Sequence, residues 1–383
     1  MGGRPPPAPQ MGYRALIGVG GIGSGLFFAL EGNHTLGRNE SRPARLLDVR
    51  DYCKLHIIAH YVSVLRGARP EGVPFHVVPI GWVGEDPAGR ALAVEMQAAG
   101  MDTALVRRTP DWPTLLGVCF QYPDGSGGNL TPTDAACSAL TPADVEAAAP
   151  LAEEYAGRWL ALAAPEVALD ARAHLLALAR RHGGYRAAAF TSAEIHAGLP
   201  AGFLGEVDLL AVNDDEAGAL IRRPFAAAEA GRFLEPVAAC LLPHNPSMRI
   251  VLTAGPHGAY GFEEGRWAHC PGLAVAVQST AGAGDALLGG VLAALAAGVP
   301  FLPPPGVAPL GQRVHSALEF GVLLSAYKVT SPHSIHPEAT LPWLLEFAAQ
   351  CGIGVNADLV ARLSAGQPAG TVRVAPAQAS SRA

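Results

Sequence analysis

Charged residues are scarce in this sequence. Only 16% of its 383 residues are Asp, Glu, Lys or Arg, and the net charge is −6. No run of basic residues is present, which argues against nucleic acid as the main partner. Because half of the residues are hydrophobic, we expect a sizeable buried core, in one large α/β domain or in two ordinary ones.

Paired cysteine motifs are also missing. No two of the six cysteines have the C-x-x-C spacing, so neither a disulfide framework nor a zinc site is indicated. Scattered cysteines of this kind are typical of reduced thiols in a cytosolic protein. They are Cys53, Cys119, Cys137, Cys240, Cys270 and Cys351.

No hydrophobic run is long enough to cross a membrane. The longest candidate, residues 15–30, is an uncharged run of 16 residues that contains five glycines. Its length and glycine content argue against a membrane span, and no clear cleavage site for a signal peptide follows it. We therefore predict a buried strand and turn here, and a soluble, cytoplasmic protein.

One stretch, residues 278–298, combines a glycine-rich turn with an apolar helix. Gly282, Ala283 and Gly284 precede Asp285, and the next thirteen residues carry no charge. Free N–H groups at a helix start form an anion site, and a carboxylate beside it suits phosphoryl transfer to an alcohol. The alternative is an ordinary helix cap with an acid in its first turn.

Residues 18–23 match the pattern G-x-G-x-x-G and precede a possible helix over residues 24–30. This pattern is typical of dinucleotide-binding folds, and it would suit a nicotinamide-dependent oxidoreductase. The second strand that should follow, ending in an acid, is replaced by the polar stretch 33–45. The context therefore disfavours a dinucleotide site.

Two further patterns follow predicted strands in the second half of the chain. Asn213 and Glu216 follow a strand predicted over residues 207–212, and their oxygens suit a hard cation such as Mg²⁺. The same residues also satisfy the pattern of a helix N-cap with acids in the first turn. Residues 253–258 form a T-x-G-x-x-G turn, in which glycine allows the backbone to approach a nucleotide closely.

Residues 48–65 are predicted to form a helix, on which His56 and His60 have the spacing of a metal pair. No third ligand is evident, and a polar stripe is the alternative interpretation. If a sugar-like ligand binds nearby, the polar candidates are Asn33, His34, Arg38, Asn39, Lys54 and His56.

The segment 280–285 resembles the C-terminal signature of the ribokinase (PfkB) family of carbohydrate and nucleoside kinases, and further resemblance runs from about residue 13 to 345. It implies a three-layer α/β/α sandwich with a mostly parallel central sheet and a small β-sheet lid. The kinase domain would span residues 13–364, with lid strands within about 13–40 and 101–131. Residues 1–12 and 365–383 are predicted to be disordered tails.

The resemblance also implies ATP-dependent transfer of a phosphoryl group to a hydroxyl of a sugar, nucleoside or related polyol. Asp285 would act as the base, with an anion hole at residues 281–284. Glu216 and Asn213 would position Mg²⁺. The residues expected to contact the nucleotide are Asn213, Thr253, Gly255, Gly258, Thr280 and Ala281. Lid strands often pair between subunits in this family, so a homodimer is possible.

The sequence departs from the family pattern mainly where acceptors bind. Ser24 and Gly25 stand in place of a substrate-binding Asp, residues 52–56 replace a G-G motif, and Cys137 replaces an Asn. Ser279 replaces an Asp that helps to hold a monovalent cation, so dependence on K⁺ stays open. These losses favour a rival hypothesis, a non-catalytic protein that binds a nucleotide or metabolite. The retained Asp285 turn favours the kinase.

Overall fold

The computed structural model describes residues 12–124, 127–311 and 313–365. The strands are β1 (Ala15–Val19), β2 (Gly23–Leu30), β3 (Ala44–Tyr52), β4 (His76–Gly84), β5 (Val106–Thr109), β6 (Leu115–Gln121), β7 (Gly127–Leu130), β8 (Trp159–Ala163), β9 (Tyr185–Ala189), β10 (Leu209–Asn213), β11 (Arg249–Thr253), β12 (Ala259–Glu263), β13 (Arg266–Cys270), β14 (Arg313–Val314) and β15 (Gly354–Val355). The helices are α1 (Lys54–Arg66), α2 (Pro87–Ala98), α3 (Pro142–Glu146), α4 (Ala149–Glu154), α5 (Leu169–Arg181), α6 (Ser192–Ala197), α7 (Ala201–Leu204), α8 (Asp214–Ile221), α9 (Ala230–Leu241), α10 (Ala283–Ala296), α11 (Ala317–Lys328), α12 (Leu341–Gln350) and α13 (Ala357–Ser364).

A nine-stranded sheet forms the centre of the molecule, in the order β13-β12-β11-β10-β9-β8-β1-β4-β5. The seven consecutive strands β11-β10-β9-β8-β1-β4-β5 all pair in parallel. At one edge of the sheet, β12 pairs antiparallel with β11, and β13 pairs antiparallel with β12. All five residues of β1 are buried, as expected for a strand covered on both faces. The predicted α/β class with a mostly parallel sheet is confirmed.

Helices cover both faces of this sheet. Leu16 packs into the core that contains α1, α10 and α11, while its neighbours Ala15 and Ile17 pack on the opposite side with α3 and α5. The small residues predicted for α10 allow close packing, because a Cβ at Gly290 would lie 2.9 Å from the Cα of Gly321 on α11. The predicted three-layer α/β/α architecture is confirmed.

A separate four-stranded sheet, in the order β3-β2-β6-β7, forms the lid. The possible helix over residues 24–30 does not form, because this segment is β2, whose backbone pairs with β3 on one side and β6 on the other. As a lid strand, β2 lies within the predicted range of 13–40. Residues 48–52 were predicted as helix and lie in β3, which extends past the predicted lid range of 13–40. The segment 106–109, inside the second predicted range, joins the central sheet as β5.

Both predicted tails lie outside the described residues, apart from Gly12 and Ala365. Among the residues that the structure does describe, no helix is long and apolar enough to cross a membrane.

Candidate active site

The turn before α10 has a backbone conformation that requires glycine. Gly282, the N-cap residue of α10, has φ of 75°. A Cβ at this position would lie 2.6 Å from the carbonyl oxygen of Ser334. Both observations exclude a side chain at residue 282 without movement of the turn. Asp285 follows in the first turn of the helix, where it is partly buried.

Two backbone N–H groups of this turn remain available for a ligand. Ala281 donates to the hydroxyl oxygen of Ser279 at 3.2 Å, and Ala283 donates to the carbonyl oxygen of Thr280 at 3.0 Å. Within the described part of the chain, the N–H groups of Gly282 and Gly284 have no protein acceptor. Of the four N–H groups predicted for an anion site, those of Gly282 and Gly284 are therefore the two at this helix N-terminus that have no protein acceptor among the described residues.

The predicted nucleotide and metal residues meet at the ends of β10 and β11. Asn213 and Thr253 are register partners, and the Thr253 hydroxyl lies 3.8 Å from where a Cβ of Gly284 would be. Asn213 and Glu216 cap each other: the Asn213 side chain accepts from the Glu216 N–H at 2.7 Å, and Glu216 accepts from the Asn213 N–H at 3.0 Å. The helix-cap alternative therefore describes their local geometry.

This capping leaves one Glu216 oxygen for other partners. It lies 3.7 Å from the ammonium of Lys54. Among the described residues, no three His, Cys, Asp or Glu side chains converge to hold a metal ion. The side-chain oxygens of Asn213 and Glu216 fit Mg²⁺, which keeps several waters and binds through one or two carboxylates together with substrate phosphates.

The sequence contains only two lysines, Lys54 and Lys328, and both lie at this site. Lys54 begins α1, and its ammonium donates to the carbonyl oxygen of Phe190 at 2.8 Å. Burial alone lowers its pKa, but the carboxylates of Asp285 and Glu216 raise the pKa of Lys54 above its ordinary value. Lys54 therefore carries a fixed positive charge next to Asp285.

Lys328, at the end of α11, is fully buried behind the turn. Its ammonium donates to the carbonyl oxygen of Ser279 at 2.9 Å. Burial lowers the pKa of Lys328 to about 8, against the opposing effect of Asp51 and Asp285. The Lys328 ammonium thus places a positive charge beside Ser279, the residue before the segment 280–285.

Glu166 is a site residue that the sequence interpretation missed. It follows β8 with φ of 72°, and one of its carboxylate oxygens is buried without a hydrogen-bond partner. Burial raises the pKa of Glu166 to about 7, with the nearby charge of Asp285 adding to the shift and that of Lys54 opposing it. In the sequence, the signal that could have identified Glu166 is its position as a single acid in an apolar run, at the carboxyl end of a central strand.

Gly20 and Gly21 allow the end of β1 to pack closely against residues 164–166, which follow β8. A Cβ at Gly20 would lie 2.8 Å from that of Ala164, and one at Gly21 would lie 2.6 Å from that of Glu166. Because β1 leads into the lid strand β2, the βαβ unit of a dinucleotide site does not form. The oxidoreductase alternative is therefore not supported.

The lid and the core enclose two adjoining cavities. The smaller, about 170 Å³, is bordered by Asp51, Lys54, Glu166, Gly282 and Asp285. The larger, about 870 Å³, shares Lys54 and Glu166 and extends to Asn213 and Glu216 on the core. Burial raises the pKa of Asp285, and the charge of Lys54 opposes that shift. The cavities lie at the carboxyl ends of the central strands, where ligands bind in such sheets.

Several predicted residues lie elsewhere. Asn33, His34, Arg38 and Asn39 are exposed on the lid loop, where Asn33 accepts a hydrogen bond from the Asp124 N–H at 3.1 Å. His56 is buried in α1 against the Tyr52 ring and borders neither cavity, so burial lowers its pKa to about 3. None of these five residues borders either cavity, so the structure does not bring them together with Asp285.

The remaining predicted nucleotide residues border neither cavity. Gly258 has φ of 86°, and its Cβ would lie 2.1 Å from the Cys270 carbonyl oxygen, so local packing explains this glycine. Gly255 is open, with φ of 50° and no atom within 4 Å of where a Cβ would lie. Thr280 is exposed. Cys137 does border the larger cavity, at the position where the resemblance expects Asn.

Comparison with known proteins identifies the family and the fold. The family model described as pfkB family carbohydrate kinase matches residues 67–341, which is more than half of the chain. A Burkholderia thailandensis nucleoside kinase in complex with inosine is 18% identical, with a TM-score of 0.63, covering 89% of this chain and 99% of that one.

Two other solved structures share the fold. Arabidopsis thaliana ribokinase with ribose and ATP is 15% identical, with a TM-score of 0.59, covering 92% and 99% of the two chains. A protein assigned as ribokinase II from E. coli, with ATP and Mg²⁺, is 16% identical, with a TM-score of 0.62 and coverage of 88% and 99%. At these identities the likeness establishes the fold.

Proposed function

Because the chain belongs to the pfkB family of carbohydrate kinases, we propose that it transfers the γ-phosphate of ATP to a hydroxyl of a sugar, nucleoside or related polyol. The observation that carries this proposal is the position of Asp285. Its carboxylate borders a cavity at the N-terminus of α10, next to the N–H groups of Gly282 and Gly284, which find no protein acceptor in the described part of the chain. A base beside an anion site is the arrangement that phosphoryl transfer to an alcohol needs.

In the proposed mechanism, Asp285 accepts the proton of the attacking hydroxyl and orients its oxygen. The Gly282 and Gly284 N–H groups donate to the transferring phosphate, with the dipole of α10 behind them. The raised pKa of Asp285 makes this carboxylate a stronger base than an exposed aspartate. Lys54 lies between the two cavities, where its ammonium neutralises charge on the phosphate.

Asn213 and Glu216 are the residues that would hold Mg²⁺, through water and the phosphates of ATP. When bound, the ion neutralises phosphate charge and orients the leaving group. Glu216 contributes the oxygen that faces Lys54, and its second oxygen stays with the helix cap. Thr253, next to Gly284, and the open turn at Gly255 are the proposed nucleotide contacts.

We further infer that activity does not depend on K⁺. The ammonium of Lys328 already satisfies the Ser279 carbonyl oxygen, so a positive charge is present without a bound ion. Use of ATP and the unpaired cysteines fit the cytoplasmic location that the proposal includes.

The test is ATP consumption with Mg²⁺ against ribose, inosine, other sugars and polyols, for the wild type and Asp285→Asn. We expect turnover with at least one acceptor and a loss of about 10²-fold or more in kcat for the variant, the size of a general-base effect. The melting temperature with ATP should rise in both proteins. Stabilisation by ATP without turnover of any acceptor would favour the non-catalytic binding protein.

An exposed apolar face of the lid sheet supports a homodimer. Leu26, Leu46, Leu116 and Leu130 are exposed large apolar residues. Leu26 lies opposite Val118, which in turn lies opposite Leu130, so these residues share one face of the sheet. The other face carries Asn129 and Cys119, which border the smaller cavity. We propose that the apolar face pairs with that of a second copy.

Light scattering during size-exclusion chromatography tests this pairing. We expect a dimer for the wild type and a monomer for the double variant Leu46→Glu/Leu130→Glu. Val94→Glu is the matched control, since Val94 is equally exposed but lies on α2. A wild-type monomer would refute the lid dimer.

A further inference from the structure

Two residues that follow α11, His333 and Ser334, join the lid sheet to the core. They bind β3, which is an edge strand of the lid sheet. The N–H of Arg50 on β3 donates to Nδ1 of His333 at 3.1 Å, and the N–H of Ser334 donates to the carbonyl oxygen of Arg50 at 3.0 Å. The segment 333–334 therefore holds the backbone of the lid strand at both its donor and its acceptor.

The Ser334 hydroxyl adds two hydrogen bonds to the same strand. Its oxygen accepts from the N–H of Tyr52 at 3.1 Å, and it donates to the carbonyl oxygen of Arg50 at 3.3 Å. Because Ser334 is fully buried, loss of the hydroxyl would leave the Tyr52 N–H without this acceptor. Four hydrogen bonds thus fix the end of β3 at one point of the core.

The other side of Ser334 touches the turn before α10. Its carbonyl oxygen, Cβ and Cα lie 2.6, 3.0 and 3.2 Å from where a Cβ of Gly282 would be. The chain around the two residues is also linked, since the Gln278 N–H donates to the Val329 carbonyl oxygen at 2.8 Å. Packed interiors transmit displacement, so a shift of Ser334 acts directly on the backbone of Gly282.

The two contacts of Ser334 belong to the two sides of the proposed reaction. On the lid side, β3 carries Asp51, which borders the smaller cavity. On the core side, the turn carries the N–H groups of Gly282 and Gly284, which belong to the proposed phosphate site. Ser334 itself borders neither cavity. It can act on a ligand only through β3 and the turn.

We propose that Ser334 is a positioning residue that couples the lid strand β3 to the turn at Gly282, so that the acceptor and the nucleotide strengthen each other's binding. This inference rests on the kinase function proposed above. A ligand held against the lid fixes β3, and β3 fixes Ser334 and the turn, which lowers the cost of ordering the second site. Such coupling is reciprocal, so each ligand tightens the binding of the other by the same factor.

The test compares Ser334→Ala, which keeps the backbone N–H, with Ser63→Ala. Ser63 is the matched control because it is also fully buried and its hydroxyl donates to the Ala99 carbonyl oxygen at 2.6 Å. It lies near the end of α1, remote from Lys54 at the start of this helix. Calorimetry measures binding of the ATP analogue AMP-PNP with Mg²⁺, with and without saturating ribose or inosine.

In the wild type and in Ser63→Ala, we expect an acceptor to tighten AMP-PNP binding about 5- to 100-fold. In Ser334→Ala this factor should fall at least about threefold, and kcat should fall about 10-fold. A structural role alone would lower the melting temperature of both alanine variants and leave the binding factor unchanged. An unchanged factor in Ser334→Ala, or a wild-type factor near one, would overturn the coupling and leave the kinase standing.

Amide hydrogen exchange of the unliganded protein tests the coupling without an acceptor. Ser334→Ala should speed exchange about 10-fold in peptides from both β3 and the turn 278–284, and Ser63→Ala should change neither. Faster exchange in β3 alone would overturn the link to the turn. This measurement decides the coupling even if no compound is turned over, whereas absence of both AMP-PNP binding and turnover would contradict the kinase itself.

Discussion

The candidate active site has a core half, formed by the central sheet and α10, and a lid half, formed by the four-stranded sheet. The two halves are built in different ways. In the core half, the backbone provides the critical groups: the turn at Gly282, the N-terminus of α10 and the ends of β10 and β11. In the lid half, side chains border the cavity, and the Asp51 side chain on β3 lies over its register partner Gly25 on β2. Backbone geometry constrains sequence tightly, whereas a carboxylate can reach one point in space from either of two paired strands. The core half therefore keeps its motif, and the lid half does not.

The largest effect should follow a change in the backbone of the core half. Gly282→Ala forces a Cβ toward the Ser334 carbonyl oxygen in a residue with φ of 75°. We expect turnover to fall by about 10²-fold or more, because the N–H donors of the anion site move. Unfolding free energy should fall by about 1–3 kcal/mol. Steady-state kinetics and urea denaturation measure the two effects.

Gly202→Ala is the matched control for this change, because residue 202 lies in helix α7 and an added Cβ there would have no atom within 4 Å. Its stability should stay within about 1 kcal/mol of the wild type. Equal effects of the two alanines would show that the turn at residue 282 has no special role.

The next effect concerns the buried cation behind the turn. Lys328→Ala removes the donor to the Ser279 carbonyl oxygen, and we expect turnover to fall about 10- to 100-fold. The wild type should have the same rate in K⁺ and Na⁺ buffers. The variant should regain activity with K⁺ or NH₄⁺, since the removed side chain opens space for a small cation. Initial rates in each salt provide the measurement, and activation of the wild type by K⁺ would contradict the inference.

The smallest effect is on stability, and it depends on pH. The pKa of Glu166 is raised from its ordinary value of 4.5 to about 7 in the folded protein. The folded state thus holds this proton more tightly than the unfolded chain, and stability is lost as the pH rises from about 4.5 through 7. Glu166→Gln should therefore be more stable than the wild type at pH about 8, by about 1–3 kcal/mol, and the gain should vanish in acid.

Thermal or urea unfolding from pH about 4 to about 8 measures this difference. Glu153→Gln, an exposed acid on α4, is the control and should show no pH-dependent gain. A constant difference between Glu166→Gln and the wild type at all pH values would mean that Glu166 keeps its ordinary pKa when folded.

Local sequence patterns predicted the core half because each pattern encodes a local structure. Glycines before a small-residue helix predicted the turn and α10, and Asn213 with Glu216 predicted a strand end followed by a helix cap. In the lid, the residues of β2 also fitted a possible helix, and the end of β3 was predicted as helix. Their strand conformation depends on pairing within a sheet that includes β6, which is distant in the sequence. His56 was predicted at the site from its residue type, and the helix face that it occupies turns it into the core.

The sequence by itself determined the α/β class, the family resemblance, and the turn with Asp285, since glycine and capping preferences act within a few residues. The tertiary structure alone decided which side chains surround that turn. Glu166 follows β8, while Asp51 and Lys328 come from β3 and α11, so no local pattern relates them to Asp285. Their meeting depends on the order of strands in two sheets and on the closure of the lid over the core, which are set by long-range pairing and burial.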